Sequence, residues 1–291
     1  MKKLPKPTVA NAETLLNNAI ARKKRSDYIS ILNANKEYIK ERYINYETNF
    51  KALENIKGSN ISLQDDKNAM HSMFTQSFKK NIKEVELKDV YEKCAGVCPF
   101  CGAGKLEEVD HYIPKELYPE FTIYPLNLIP ICNKCNKKKG EKFLNTKKER
   151  KFINFYLDSV DTMDFLNIMI KYESKDIKNT TKVIYKADFP KITDVYLREI
   201  VERHYEELNL LERYAEAAND ELSQLYSIYS NQDDYNEKEI KNAALRTVVG
   251  VKNGQLEKAG RNDWKYLLYD EVIKTGYIND LVKCICNEKA P

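Results

Sequence analysis

The chain has 291 residues, of which 32% are charged and 42% apolar, a balance that suits a globular protein and excludes a disordered one. Its formal net charge is only +4, so composition alone announces no nucleic-acid partner, and no stretch approaches the roughly 18 apolar residues of a spanning helix. Met1-Lys2-Lys3 is not followed by the apolar run of a secretory signal; the expectation is a soluble cytoplasmic protein, away from membranes, with room for one large domain or two ordinary ones.

In chain order, the segment from about Glu13 to Ile56 reads as helical. Ile39, Tyr43, Tyr46, Phe50 and Leu53 recur at steps of four and three, which places them on one helix face. A polar connection containing Gly58, Ser59, Asn60 and Ser62 follows, and a second helical stretch from about Lys67 to Tyr91 leads into a cysteine-rich centre. His71, within that stretch, has no acid or nucleophile pattern around it and receives no role. Beyond Lys151, Asp164 to Glu173 and Thr180 to Asp188 are rich in Ile, Val, Tyr and Phe, and turn-favouring residues at 176–179 separate them, which predicts a β-hairpin. Ile200, His204, Leu208, Leu211, Ala215, Ala218, Leu222 and Leu225 then predict a single long amphipathic helix, with His204 as a hydrogen-bonded core residue. From Glu237 to Cys286 the pattern suggests two or three shorter helices, broken near Gly250 to Gly254 and at Gly260.

Seven cysteines stand at 94, 98, 101, 132, 135, 284 and 286. Cys98, Cys101, Cys132 and Cys135 form two Cys-x-x-Cys pairs, which in a reducing compartment suit zinc better than disulfides. Two such knuckles supply four thiolates to one tetrahedral ion. The 30 residues between them exceed the roughly 15–20 of a simple two-knuckle site. Something is therefore inserted, and the insertion holds Asp110, His111 and Asn127. A metal joining its two ends would order a unit too short for its own core. Cys94 is expected to stay outside the quartet, and Cys284 and Cys286 to pack or lie exposed in a terminal helix.

The inserted residues, together with Asn136 just after the second pair, suit hydrolysis of a phosphodiester. A hard divalent cation prefers oxygen ligands, which the carboxylate of Asp110 and the amide of Asn136 provide. A neutral imidazole at His111 would take the proton from an attacking water. Between Lys134 and Lys151 nine basic residues stand against Glu141 and Glu149. An isolated run of this kind is usually a solvated helix face, but this one abuts the motif.

The segment Cys98-Pro99-Phe100-Cys101, Val109-Asp110-His111-Tyr112-Ile113-Pro114-Lys115, Asn127-Leu128-Ile129-Pro130 and Cys132-Asn133-Lys134-Cys135-Asn136-Lys137-Lys138-Lys139-Gly140 resembles the HNH (ββα-metal) nucleases in their zinc-stapled form. The resemblance covers about 45 residues. It implies His111 as general base, Asp110 and Asn136 as ligands of a catalytic Mg2+ or Mn2+, and Asn127 as the residue holding the loop that positions His111. It also implies structural Zn2+ at the four cysteines, and Lys115 fits its pattern; Lys115 and, from the adjoining basic run, Lys137, Lys138 and Lys139 are expected to contact nucleic acid. Where the family name has its last His, this chain has Asn136, which leaves the preferred metal open.

A weaker resemblance, over Ile200 to Leu222 and at Gly260, Asn262 and Trp264, is to HNH proteins of bacterial anti-phage defence operons of the Septu type, which would imply an ATPase partner. The fold expected is α+β: a mainly helical chain with a central ββα-metal core and a following β-hairpin. Its expected divisions are an N-terminal helical region (1–90), a nuclease domain (91–150) and a C-terminal hairpin and helical region (151–291). Function is expected to be endonucleolytic, on DNA. A ribonuclease and an inactive zinc-stabilised binding or scaffold protein remain the alternatives, because the metal site does not read the 2′-hydroxyl.

Overall fold

A computed structural model describes residues 2–8, 12–232 and 236–289. The fold is α+β, mainly helical, with two small antiparallel sheets and a cluster of four cysteines among the described residues. Two compact units are present. One comprises Lys3–Phe100 and Gly104–Ser159; the other comprises the described residues of Met1–Lys2, Cys101–Ala103 and Val160–Pro291. No helix among the described residues is long and apolar enough to cross a membrane.

The segment read as helical from Glu13 to Ile56 forms three consecutive helices, α1 (Ala12–Ala21), α2 (Ser26–Ala34) and α3 (Lys36–Thr48), at the start of the first unit. The breaks fall at the cationic run Arg22 to Arg25 and at Asn35, whose side-chain amide caps the Ile31 carbonyl of the preceding turn. The apolar stripe survives: Ile39, Tyr43, Tyr46, Phe50 and Leu53 are all buried, the last two beyond the end of α3. Next come α4 (Gln64–Ser77), a π-helical stretch (Phe78–Glu86) and α5 (Lys88–Cys94). The central motif then forms β1 (Glu108–His111), β2 (Leu128–Ile131) and α6 (Asn133–Lys139). The strands pair antiparallel, with Asp110 opposite Ile129 and His111 opposite Leu128.

In the second unit, β3 (Leu166–Lys171) pairs antiparallel with β4 (Lys182–Ala187), and the short α7 (Ile177–Thr180) lies in their connection. The expected hairpin is therefore present. The expected single helix around Ile200 to Leu225 is not. Asn209 adopts a left-handed conformation (φ 51°, ψ 51°), which separates α8 (Val195–Leu208) from α9 (Leu210–Ser230). The break shifts the buried face by one residue, so Leu210 and Tyr214 are buried where Leu211 and Ala215 were expected to be. His204 is fully buried.

Downstream, α10 (Glu237–Ala259) starts with a capping box from Asn236 and Glu239. It runs unbroken through Gly250 and Gly254, contrary to expectation, and stops at Gly260, whose φ of 82° suits glycine. α11 (Trp264–Lys274) and α12 (Tyr277–Lys289) complete the unit. α9 packs across β4 and α11 across β3, so the hairpin is covered by helices.

Candidate metal and catalytic centre

The first cysteine pair sits in a tight knuckle. Val97 and Lys105 form an antiparallel bridge, the Cys98 amide donates to the Gly104 carbonyl (2.8 Å), and Gly102 takes a positive φ of 64° immediately after Cys101. The second pair opens α6, with Cys132 as its N-cap residue and Cys135 in its first turn. All four sulfurs lie within 4.8 Å of one another and all four residues are buried. Thiolates about 2.3 Å from a shared tetrahedral ion would stand roughly 3.8 Å apart, so the quartet fits such an ion. Cys94 is buried outside it, where burial pushes its thiol up to about 12.

The same helix explains the next layer. Cys132, Cys135, Asn136 and Lys139 follow the i, i+3, i+4, i+7 spacing of a single helix face. On the facing strand the two-residue period puts Glu108 and Asp110 on one side. These two patterns mesh. Glu108 accepts from the side-chain amides of Asn133 (2.7 Å) and Asn136, and Asp110 Oδ2 pairs with Lys139 Nζ at 2.8 Å. Lys139 also donates to the His111 carbonyl (3.0 Å). Because the Asn136 amide nitrogen is engaged by Glu108, its oxygen is the atom left for another partner.

Lys139, expected beside Lys137 and Lys138 as a phosphate contact, is instead fully buried with its ammonium on Asp110. Lys137 is exposed, and Lys138 and Lys115 are half-buried. The signal for Lys139 was in the sequence: it lies three residues after Asn136 and four after Cys135, on their face. Glu108, two residues before Asp110, is the other participant that motif reading missed.

His111 ends β1 and is buried. Its Nε2 lies 2.8 Å from the Thr122 carbonyl. A carbonyl oxygen only accepts, so Nε2 carries the proton, and the neutral ring keeps its lone pair on Nδ1. Burial pushes the imidazole down to about 3. For Asp110, burial raises the carboxyl above its ordinary value, and the Lys139 ammonium opposes that rise.

Asn127 is fully buried in the loop between the strands. It accepts from the Ile113 amide (2.8 Å), donates to the Ile113 carbonyl (3.0 Å), and receives the Tyr46 hydroxyl (3.3 Å). The loop is further fixed by fully buried Glu120, held by Arg42 (2.8 Å) and by the Ser59 hydroxyl (2.7 Å). Asp110, His111, Lys115, Asn136 and Lys137 all line one cavity of about 340 Å³. The arrangement brings a carboxylate, an amide and a neutral imidazole to one solvent-connected space with lysines at its rim.

β1 and β2 pair antiparallel and α6 follows them, with the four clustered cysteines and Asp110, His111 and Asn136 alongside, the order expected from the sequence resemblance. In agreement, residues 98–142 match the HNH endonuclease family. Among curated proteins, 48 residues of the chain are 48% identical to protein ea31 of Escherichia phage lambda, covering 16% of each protein. A stretch of 93 residues is 34% identical to Septu protein PtuB of Bacillus thuringiensis, covering 30% of this chain and 34% of that protein. The chain thus spans about a third or less of the length of these relatives. No solved structure matches it.

Proposed function

We propose that the chain is a metal-dependent endonuclease that hydrolyses phosphodiester bonds in DNA. The observation that carries this reading is the shared cavity: Asp110, His111 and Asn136, from β1 and α6, face one space beside a four-cysteine site. The four thiolates would hold a structural zinc, which ties the start of the motif to the start of α6. Asp110 and Asn136 would hold magnesium or manganese, whose charge would stabilise the phosphate as negative charge builds on it.

The protein's own groups do the rest. The Thr122 carbonyl fixes the tautomer of His111, so Nδ1 is the atom that removes the proton from water. Because the ring is held well below the ordinary histidine range, it enters the reaction uncharged. Incoming phosphate charge favours the imidazolium that forms afterwards. Lys139 keeps the Asp110 carboxylate aligned through one oxygen and leaves the other for the cation. Asn127 braces the turn that follows His111, and Lys115 and Lys137 at the rim would meet substrate phosphates.

The matches to an HNH family and to a Septu protein support a defence setting and a partner protein, for which the sequence resemblance suggests an ATPase. The test is to incubate the pure protein with magnesium or manganese and, separately, plasmid, linear DNA and total RNA. Metal-dependent cutting of DNA is the expected result. Cutting of RNA alone would make it a ribonuclease, and binding without cutting would make it a zinc-stabilised binding module.

A further inference from the structure

One wall of the cavity comes from outside the segment 98–142. Phe74, on α4, lines the same space as Asp110, His111 and Asn136. Its ring meets the His111 imidazole edge to face, with centroids 4.9 Å apart and planes at 61°. One turn earlier, His71 Nε2 lies 3.0 Å from the Lys115 carbonyl, and its Nδ1 is 3.8 Å from the Glu116 carboxylate. One turn earlier again, Lys67 Nζ reaches the Glu116 carbonyl at 3.5 Å. Lys67, His71 and Phe74 follow i, i+4, i+7 spacing and so share a helix face. The neighbouring face carries Ala69, Met70 and Met73, all fully buried, which fixes α4 in the core of its unit.

We propose that this face of α4 is a positioning element of the active site: Phe74 sets the plane of the His111 ring, and His71 sets the turn that carries Lys115. The inference rests on the nuclease reading above. The torsion that turns an imidazole about its bond to the β-carbon is soft, and one hydrogen bond from Nε2 leaves rocking about that contact. A ring packed against the imidazole removes this freedom and fixes where Nδ1 points. His71 acts differently. It does not line the cavity but holds the backbone of residue 115, 44 positions away in sequence, and so holds the lysine beside the mouth. The two residues therefore affect different kinetic constants.

The test uses the 291-residue chain purified in the presence of zinc. Phe74→Leu keeps apolar bulk and removes the ring; kcat should fall roughly 10-fold with KM within about 2-fold, the signature of a misaimed base. Phe74→Tyr, which restores a ring, should recover most of that loss. His71→Ala should raise KM about 5-fold with little change in kcat, and should weaken binding of a labelled DNA duplex in calcium, which fills oxygen sites, by a similar factor. His71→Gln, whose amide can donate to the same carbonyl, should restore both.

Unchanged kinetics in Phe74→Leu and His71→Ala, with wild type still far above His111→Ala, would overturn the positioning role and leave the nuclease reading standing. Loss of zinc or of the folded baseline in Phe74→Leu would make Phe74 a structural residue and overturn its role as well. A wild-type protein no more active than His111→Ala would overturn the nuclease reading itself, and the inference with it.

Discussion

In the unit that holds β1, β2 and α6, the buried side chains include Arg42, Asp110, His111, Glu120, Asn127, Lys139, Arg150, Asn154 and Asp158. In the unit that holds α8 to α12, the buried polar residues among those described are His204, Asn262 and Asp263, against an interior of Ile200, Val201, Leu208, Tyr214, Leu222, Val248, Leu268 and their neighbours. The second unit is ordered as amphipathic helices usually are, by burying one apolar face. The first gives up part of that burial to place charges in its interior, several of them paired: Arg42 on Glu120, Lys139 on Asp110, Arg150 on Asp158 (2.9 Å), while the Lys23 ammonium is buried without a hydrogen-bond partner and burial pushes it down to about 8. Removing one member of such a pair leaves the other charge buried and uncompensated, which costs far more than the intact pair contributes.

The two units should part most clearly when the cysteines are removed. Cys135→Ser, or removal of zinc by a strong chelator, should unfold the central motif, with fast amide exchange over residues 98–142. Exchange in α9 and α10 should stay slow, because their order comes from apolar packing. Equal loss of protection in both units would show that they share one source of stability. Next in size come two single substitutions measured by urea unfolding. Arg42→Ala leaves fully buried Glu120 uncompensated and should cost ~3–5 kcal/mol. In the other unit, Leu222→Ala should cost ~2–5 kcal/mol through cavity formation, with no change in cleavage.

A smaller effect sharpens the contrast through pH. His111 is held down to about 3 by burial, against about 6.5 for an unfolded histidine. The unfolded state therefore binds the proton first, and stability falls as pH drops from about 6.5 toward 3. Between pH 7 and pH 5 the loss from this group is ~2 kcal/mol, and His111→Asn should lack it when the two proteins are compared at both pH values. Smallest is Asn209→Ala, which puts an alanine in the left-handed region at the α8–α9 junction and should cost ~1 kcal/mol; Asn209→Gly should cost less.

The two regions also differed in how much of each was legible. The quartet was legible from the spacing of its two Cys-x-x-Cys pairs, and the ββα order and the grouping of Asp110, His111 and Asn136 from the family resemblance that their motif carries. The hairpin of β3 and β4 was legible from its β-branched and aromatic runs and the turn between them. The break at Asn209 was not: a stripe of apolar residues continues across it at helical spacing, and the one-residue shift to Leu210 and Tyr214 is visible only in three dimensions. Gly250 and Gly254 misled in the opposite direction, since glycine weakens a helix by only ~1 kcal/mol and packing of α10 on α11 and α12 outweighs that. Lys139 was read with Lys137 and Lys138 as a nucleic-acid contact because the charge run hides its helical register with Cys135 and Asn136. The contribution of α4 was invisible for another reason: His71 and Phe74 meet the motif through contacts about 40 residues long in sequence, and no local pattern encodes them.

The central claim, that His111 performs chemistry at this cavity, is tested most directly by comparing DNA cleavage by wild type and His111→Ala in magnesium and in manganese, with zinc content and DNA binding measured on the same preparations. Cleavage should fall ~10²-fold or more in the variant while zinc and binding are retained. Undiminished cleavage by His111→Ala would contradict the account and move the active site elsewhere.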